Sequence, residues 1–584
     1  MRSWIRPALP GSILLALVAC SGTGGVTAPK YSPEPQASLQ NAWEDASRTA
    51  HTLVLNGSAI PYTATAGHLT AIAMDGRTPE AAFFYVAYTA DGQDPARRPV
   101  TFFYNGGPGS SSVWLHLGSF GPRRLVTGDP ATTEPTPFPL VDNSDCLLDT
   151  TDLVYVDAVG TGLSEAVAPY TNRDFWGVDP DAAVFRDFIR SYLAANQRQA
   201  SPLYLFGESY GTPRTAVLAN LLCAAGQPPA GVVLQSSVLD YNTNGDMGNG
   251  ISCAGFVPTY AAVGAYYDLD IPEPGDLTAF LGQVRAFTAS SYAPAVNAWL
   301  TAQTPPDSAL VDQLHADTGI APNLWTQDLN LQPGDVRAHL VPGTLVGRYD
   351  ARVNAPTGCI LASEGDPSST FIIPSFKTVI SRYLQNDLGY PDAAGYQVSS
   401  GAANDTWDFS HDDKNLPDTI PDLASAIQQK PDLKILSLNG YHDLATPFYQ
   451  TELDLGRLGA QPNLGVRFYA GGHMVYLDDC SRPLEKADLV AFYQAASGWT
   501  GPWTPPAPPA TRRALAPLAA PSVPAPMALP APGGPLYDPY VPPEKRRPST
   551  APPSTGAALR DQVRRKLDAL RSATPGPVPA PGPR

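Results

Sequence analysis

An α/β architecture, a mostly parallel central sheet flanked by helices and interrupted by a largely helical insertion, is what this 584-residue sequence predicts. Three observations point to it. Short apolar runs rich in Val, Leu, Phe and Tyr recur along the chain, each closed by a Gly-rich or polar turn, as buried strands are. An amphipathic helical pattern lies between two of them, giving the strand, helix, strand alternation of a parallel sheet. A long stretch of irregular helical patterning then separates the earlier runs from the last two. With 43% hydrophobic residues and nine Trp, the chain has enough apolar surface for a large core. Its net charge of −16 argues against a nucleic-acid partner, whose affinity rests on neutralising phosphates.

Taken from the amino end, residues 1–19 read as an export signal. Arg2 and Arg6 precede an apolar run from Ile13 to Ala19, too short to span a membrane, and the run ends in Leu17-Val18-Ala19-Cys20-Ser21. Small residues followed by cysteine at this depth resemble the bacterial lipobox, so Cys20 is the expected lipidation site and the cell envelope the expected location. Residues 20–40, rich in Gly, Pro, Ser and Thr, read as a flexible tether and 41–500 as the catalytic domain. Five more cysteines, Cys146, Cys223, Cys253, Cys359 and Cys480, stand in no metal-ligand spacing, so neither a metal nor a cofactor is implied.

The strands are expected at Val100 to Tyr104, Leu153 to Val156, Leu203 to Phe206, Gly231 to Leu234, Lys434 to Leu438 and Val466 to Tyr469. Between the second and third, Asp179-Pro180 offers a cap and first-turn proline for a helix burying Val184, Phe185, Phe188, Ile189, Tyr192 and Leu193. Residues 241–431 are the expected cap insertion. From 501 to 584 the composition changes: 23 of the 63 prolines fall here, with 11 Lys+Arg against 4 Asp+Glu, which reads as a basic, mostly disordered tail of unknown partner. A proline-free stretch at 556–573 could form a short basic helix within it.

The third run leads into Gly207-Glu208-Ser209-Tyr210-Gly211 and then a helix-like segment, the context of a nucleophile elbow: small flanking residues let the chain turn sharply and expose the serine hydroxyl. Such a nucleophile needs an acid and a base later in the chain. Asp443 follows one strand and His473 the next. His442 is the rival base, but adjacency to Asp443 prevents it from being oriented by that carboxylate while reaching Ser209, so it is read as a surface or structural residue. Asn105-Gly106-Gly107-Pro108-Gly109 follows the first strand, and no Lys-Ser/Thr makes it a phosphate loop. The amides of Gly107 and Tyr210 are the expected oxyanion donors.

Taken together, Asn-Gly-Gly-Pro-Gly-Ser-Ser-Ser from Asn105, Gly-Glu-Ser-Tyr-Gly from Gly207, Asp443 four residues ahead of Pro447, and Gly-Gly-His-Met-Val from Gly471 resemble the serine carboxypeptidase family. The resemblance spans about Pro99 to Pro483. It implies an α/β-hydrolase fold with a helical cap, a Ser209, Asp443, His473 triad, and Asn105 and Glu208 as ligands of the substrate's terminal carboxylate. It therefore implies release of C-terminal residues from peptides through an acyl-enzyme. An esterase or acyltransferase on the same triad, and a catalytically silent envelope binding lipoprotein, are the alternatives. The sequence departs from the family pattern at Ser110, where a disulfide cysteine is usual, at Phe103 in place of tryptophan, and at Ser119 in place of glutamate. Arg123 or Arg124 is a candidate compensating cation for that thinned carboxylate network, the alternative being two solvated surface arginines.

Overall fold

The computed structural model describes residues 30–128, 138–247, 250–269, 276–363, 365–391 and 393–495. The expected export signal, Cys20 and the Pro-rich tail with its short helix lie outside the described residues. Nine strands form the main path of one sheet: β1 (Ala46–Leu55), β2 (Ser58–Ile72), β3 (Pro79–Ala90), β4 (Val100–Tyr104), β5 (Asp152–Val156), β6 (Leu203–Glu208), β7 (Gly231–Gln235), β8 (Lys434–Gly440) and β9 (Leu464–Tyr469). Their spatial order is β1-β2-β3-β5-β4-β6-β7-β8-β9, and the two-residue strand Glu165–Ala166 adds to β3. From β5 to β9 every neighbour is parallel, whereas β1, β2 and β3 pair antiparallel and β3 meets β5 antiparallel.

Helices cover both faces because the parallel strands are apolar on both sides: β4 and β7 are buried throughout. On one face α1 (Val178–Ala195), α2 (Gly211–Ala224) and α3 (Ile420–Gln429) seal a core holding Phe185, Ile189, Leu218 and Leu423. On the other, α4 (Ser481–Gln494) packs Leu489 and Phe492 with Phe376 of the helix Pro367–Arg382. The insertion between β7 and β8 is mostly helical, as expected, and builds its own cluster around Trp325, Tyr260 and Tyr292 that also takes in Phe448 and Phe468. The strand order, with the direction of strand addition across the sheet reversing at β4 and β6, is that of the α/β-hydrolase fold, and it puts the ends of these two parallel strands side by side where such sheets bind ligands.

Three expectations are corrected. Chain assigned to the flexible tether is docked from Tyr31 onward: its ring stacks on His68 at 4.0 Å, Ser32 N donates to Glu165 Oε2 at 2.7 Å, and Leu39 N donates to Ala166 O. Backbone groups satisfied by the body outweigh a composition that reads as linker. Helix α1 starts at Val178 behind Gly177, so Asp179 is not its cap. The Asp179 carboxylate instead meets His411 Nδ1 at 2.7 Å, while His411 Nε2 meets Asp422 Oδ2 of α3 at 2.9 Å and lies 3.7 Å from Asp412. Finally, β1, β2 and β3 had no counterpart among the expected strands.

The His411 clamp ties the insertion to α1 and α3. Its hydrogen bond to Asp422 is the main reason the imidazolium is favoured; burial opposes it, Asp179 adds to it, and the pKa rises from 6.5 to about 9. A raised histidine pKa gives stability that is complete below pH 6.5 and is lost as pH climbs through about 9. Thermal unfolding of wild type and His411→Gln should therefore show a clear gap in Tm at pH 6 that closes above pH 9. A gap independent of pH would mean that His411 is uncharged.

Candidate active site

The turn after β6 is held in a strained shape. Ser209 has φ +59°, a left-handed conformation that costs a non-glycine residue about 1–3 kcal/mol. Its amide donates to Gln235 O at 3.0 Å, and its carbonyl accepts from Thr212 N and Thr212 Oγ1 at 2.8 and 2.7 Å. The turn is so tight that a Cβ on Gly207 would lie 2.1 Å from Gly211 O and 2.3 Å from Thr215 Oγ1. Gln235 and Ser236 at the end of β7 tie two turns together: while Gln235 O holds Ser209, Ser236 Oγ donates to His473 O at 2.6 Å.

Asp443 follows β8 and His473 follows β9, and both side chains are buried. Asp443 Oδ1 accepts from the amides of Ala445 and Thr446 at 2.8 and 3.0 Å; Oδ2 accepts from Thr446 Oγ1 at 2.6 Å and from His473 Nδ1 at 2.8 Å. With Nδ1–H donated to Asp443, Nε2 is the nitrogen left to act as a base. Burial pushes the imidazole down, but Asp443 and then Glu208 outweigh it, and its pKa ends above 6.5. His442 is structural and not at the surface. Its amide donates to Gly471 O, its carbonyl accepts from Ala351 N, and burial drives its ring well below the usual range.

The glycine loop leaves β4 and presses against the elbow. A Cβ on Gly106 would lie 2.4 Å from Tyr210 N, so only glycine lets the two backbones approach and brings the Gly107 and Tyr210 segments side by side. Asn105 and Glu208 meet beneath them: Asn105 Nδ2 donates to Glu208 Oε1 at 2.8 Å, and Asn105 Oδ1 accepts from Leu115 N at 3.0 Å. Glu208 Oε2 accepts from Tyr476 OH at 2.6 Å. Burial pushes Glu208 up to about 7, opposed by His473 and Tyr476, so it holds a proton under mildly acidic conditions.

Arg123 and Arg124 do not fill the place of the missing carboxylate network. They are spent on Asp142 at 3.4 Å, Asp387 at 3.8 Å and Asp479 at 3.3 Å, around the small hairpin Arg123–Leu125 and Leu140–Asp142. Ser119 Oγ turns back to Leu115 O, and Phe103 stacks between Tyr155 and Phe206. Ser110 Oγ accepts from Trp114 Nε1, and the five described cysteines are free thiols.

Residues that the motifs did not flag complete the site. Arg214, fully buried in α2, pairs with Asp181 of α1 through Nε at 2.6 Å and Nη2 at 3.2 Å, and its Nη1 donates to Asn105 O at 2.8 Å. Tyr476 and Thr446 each stand three residues after a flagged residue, which is the only sequence signal they carry. Beside His473, Trp114, Tyr349, Ile372 and Met474 line a cleft of about 300 Å³. Three of them, Tyr349, Ile372 and Met474, also line a second cleft of about 450 Å³ that reaches Phe371, Leu477 and Arg352. His411, Asp412 and Asp422 lie close enough to hold a metal, but both ring nitrogens of His411 face carboxylates, the pattern of an ion-paired imidazolium.

Comparison with known proteins adds the following. No curated protein matches the sequence. A prohormone-processing carboxypeptidase from Saccharomyces cerevisiae superposes with a TM-score of 0.46 at 15% identity, covering 74% of this chain and 91% of that one. A proline iminopeptidase from Mycobacterium smegmatis gives 0.30 at 13% identity over 73% and 97%, and a carboxyl esterase from Bacillus coagulans 0.30 at 12% over 73% and 96%. These likenesses are too distant to bear on activity. Residues 57–232, which carry both the glycine loop and the Ser209 elbow, match the family model described as serine carboxypeptidase.

Proposed function

We propose that the protein is a serine carboxypeptidase that releases C-terminal residues from peptides through an acyl-enzyme. The observation that carries this reading is the hydrogen-bonded line from Asp443 to His473, tied through Ser236 and Gln235 to the strained Ser209 turn. Ser209 Oγ attacks the scissile carbonyl while His473 Nε2 takes its proton. The amides of Gly107 and Tyr210 receive the oxyanion. The proton then passes to the leaving amine, and water, activated by the same nitrogen, cleaves the acyl-enzyme. Asp443 fixes the tautomer and balances the imidazolium. The largely apolar cleft beside His473 is where a substrate side chain would lie.

Two further parts belong to the proposal. Protonated Glu208 and the Asn105 amide bind the substrate's terminal carboxylate, since two facing carboxylates cannot both stay ionised cheaply. The chain is exported and anchored in the cell envelope by a lipid on Cys20. No helix among the described residues is long and apolar enough to cross a membrane.

Ser209→Ala should abolish fluorophosphonate labelling with Tm unchanged, and Asp443→Asn or His473→Ala should each lower turnover of blocked dipeptides by about 10³-fold or more. An active His473→Ala enzyme would remove His473 from the base role. Cys20→Ser should shift the protein from the membrane to the soluble fraction, and retention on the membrane would disprove the anchor.

The pH profile tests the carboxylate site. Glu208 loses its proton as pH rises through about 7, so binding of a free carboxylate weakens on the alkaline side. His473 must be neutral to act, so the chemical step weakens on the acid side. For peptides with a free C-terminus, kcat/KM should follow a bell that falls above pH 7. Glu208→Gln, a permanent donor, should flatten the alkaline limb for these substrates and leave uncharged esters largely unaffected. Activity rising steadily to pH 8, or equal losses on both substrate types, would remove Glu208 from carboxylate recognition and favour an esterase.

A further inference from the structure

The two amides assigned to the oxyanion come from different elements, Gly107 from the exit of β4 and Tyr210 from the start of α2. Residues 398–411 of the insertion cross over both. At its beginning the segment is stitched to the glycine loop: Ser111 N donates to Val398 O at 3.0 Å, and Ser400 N donates to Gly109 O at 2.7 Å. The fit is close enough that a Cβ on Gly109 would lie 2.8 Å from Ser400 O. The segment then forms the short helix Gly401–Thr406, capped by Ser400 Oγ, whose Asn404 donates through Nδ2 to Pro108 O at 2.9 Å. Pro108 is the residue directly after Gly107.

One residue past that helix, Trp407 Nε1 donates to Tyr210 OH at 3.0 Å, with the two rings edge to face at 5.1 Å. Phe409 adds a second edge contact to Tyr210 at 6.2 Å. The Tyr210 ring is held from its other neighbours by Arg214, whose guanidinium lies 5.4 Å from the ring centroid. Asp408 N donates to Trp176 O and Asp408 O accepts from Val178 N, pinning the segment to the start of α1, and His411 closes its far end between Asp179 and Asp422. Asn404 and Trp407 are both buried.

We propose that this segment is a strap that sets the spacing of the oxyanion donors, with Asn404 and Trp407 as positioning residues: Asn404 fixes the loop that carries the Gly107 amide, and Trp407 fixes the side chain of the residue that supplies the other. The proposal rests on the serine hydrolase reading above. Hydrogen-bond donors stabilise a developing oxyanion only when preorganised to within a few tenths of an ångström, and a misplacement of about 1 Å costs about 10²-fold in rate. Neither residue touches the bound peptide in this scheme, so the loss should fall on kcat and not on KM.

The test uses the full chain with Asn404→Ala and Trp407→Phe, the latter keeping an aromatic ring while removing the N–H donor together with one ring of the indole. Assays run well below the Tm of each variant, with folding checked by circular dichroism. The expected result is a 10- to 100-fold fall in kcat on both a blocked dipeptide and a simple ester, with KM within about twofold of wild type. Affinity for a peptide boronic acid, which forms the tetrahedral adduct, should fall by the same factor, while affinity for the product acid stays unchanged. Lower Tm with unchanged kcat and boronate affinity would make the strap purely structural and overturn the proposal, as would a loss confined to KM. If wild type neither reacts with fluorophosphonate nor turns over either substrate, the hydrolase reading falls and the strap's role with it; active wild type with unimpaired variants removes the strap alone.

Discussion

Beneath the Ser209 turn lies a charge with no access to water. Arg214 is 0% exposed and answers for that position with three hydrogen bonds, two to Asp181 and one to the carbonyl of Asn105, while Phe185, Tyr104 and Tyr210 present their rings to its guanidinium. Desolvating such an ion costs several kcal/mol, which only short, paired geometry offsets. The requirement propagates upward. Helices α1 and α2 must lie at a set distance, Asn105 must present its carbonyl downward and hence its amide to Glu208, and Tyr210 must keep its ring over the cation. Loss of either member would leave the other buried and unpaired, a defect worth about 3–5 kcal/mol. The candidate site is thus built on an electrostatic obligation made below it.

Above that base the two carboxylates are treated differently. Asp443 accepts four hydrogen bonds, two from backbone amides, one from Thr446 and one from His473, an inventory that suits an anion. Glu208 receives two, from Asn105 and Tyr476, and its burial dominates. One environment supports a charge facing the imidazole; the other supports a proton that can be donated. Glu208 and His473 also feel one another: each in its charged form favours the charged form of the other.

What could be read from the sequence follows the strength of each local signal. The runs that became β4 to β8 are buried on both faces and β9 nearly so, and their composition alone marks them. β1 hides because the signal there is alternation: it is half exposed along most of its length, and its Ala, Thr and His residues never form an apolar run, whereas β3 does carry a buried apolar run, Ala81 to Tyr88, absent from the expected strands. The elbow and the glycine loop were legible because tight backbone approach admits only glycine. Arg214 was not, since an arginine inside a helix looks like any solvated charge until Asp181 is found opposite it, 33 residues earlier. Arg123 and Arg124 misled for the converse reason: proximity in sequence to the glycine loop said nothing about the acidic partners that the hairpin brings to them. Tyr31 to Leu39 carry a linker's composition, and only the backbone partners offered by Glu165, Ala166 and Asn172 reveal that they dock.

The departures from the family pattern have a physical consequence of their own. With serine at position 119 turned back onto Leu115, no second carboxyl stands there to share a proton with Glu208, and a phenol takes the free oxygen instead. Asp443 raises the pKa of Glu208 by repulsion, whereas His473, Tyr476 and Asn105 lower it, the last two by donating hydrogen bonds. The proton on Glu208 is therefore retained chiefly by desolvation, with a smaller push from Asp443 and against its two hydrogen-bond donors. Anything that admits water to this pocket removes the largest force holding that proton. A closed, dry pocket around Glu208 is accordingly a condition of carboxylate recognition in this protein, and the packing of Tyr476 is part of the chemistry as well as of the core.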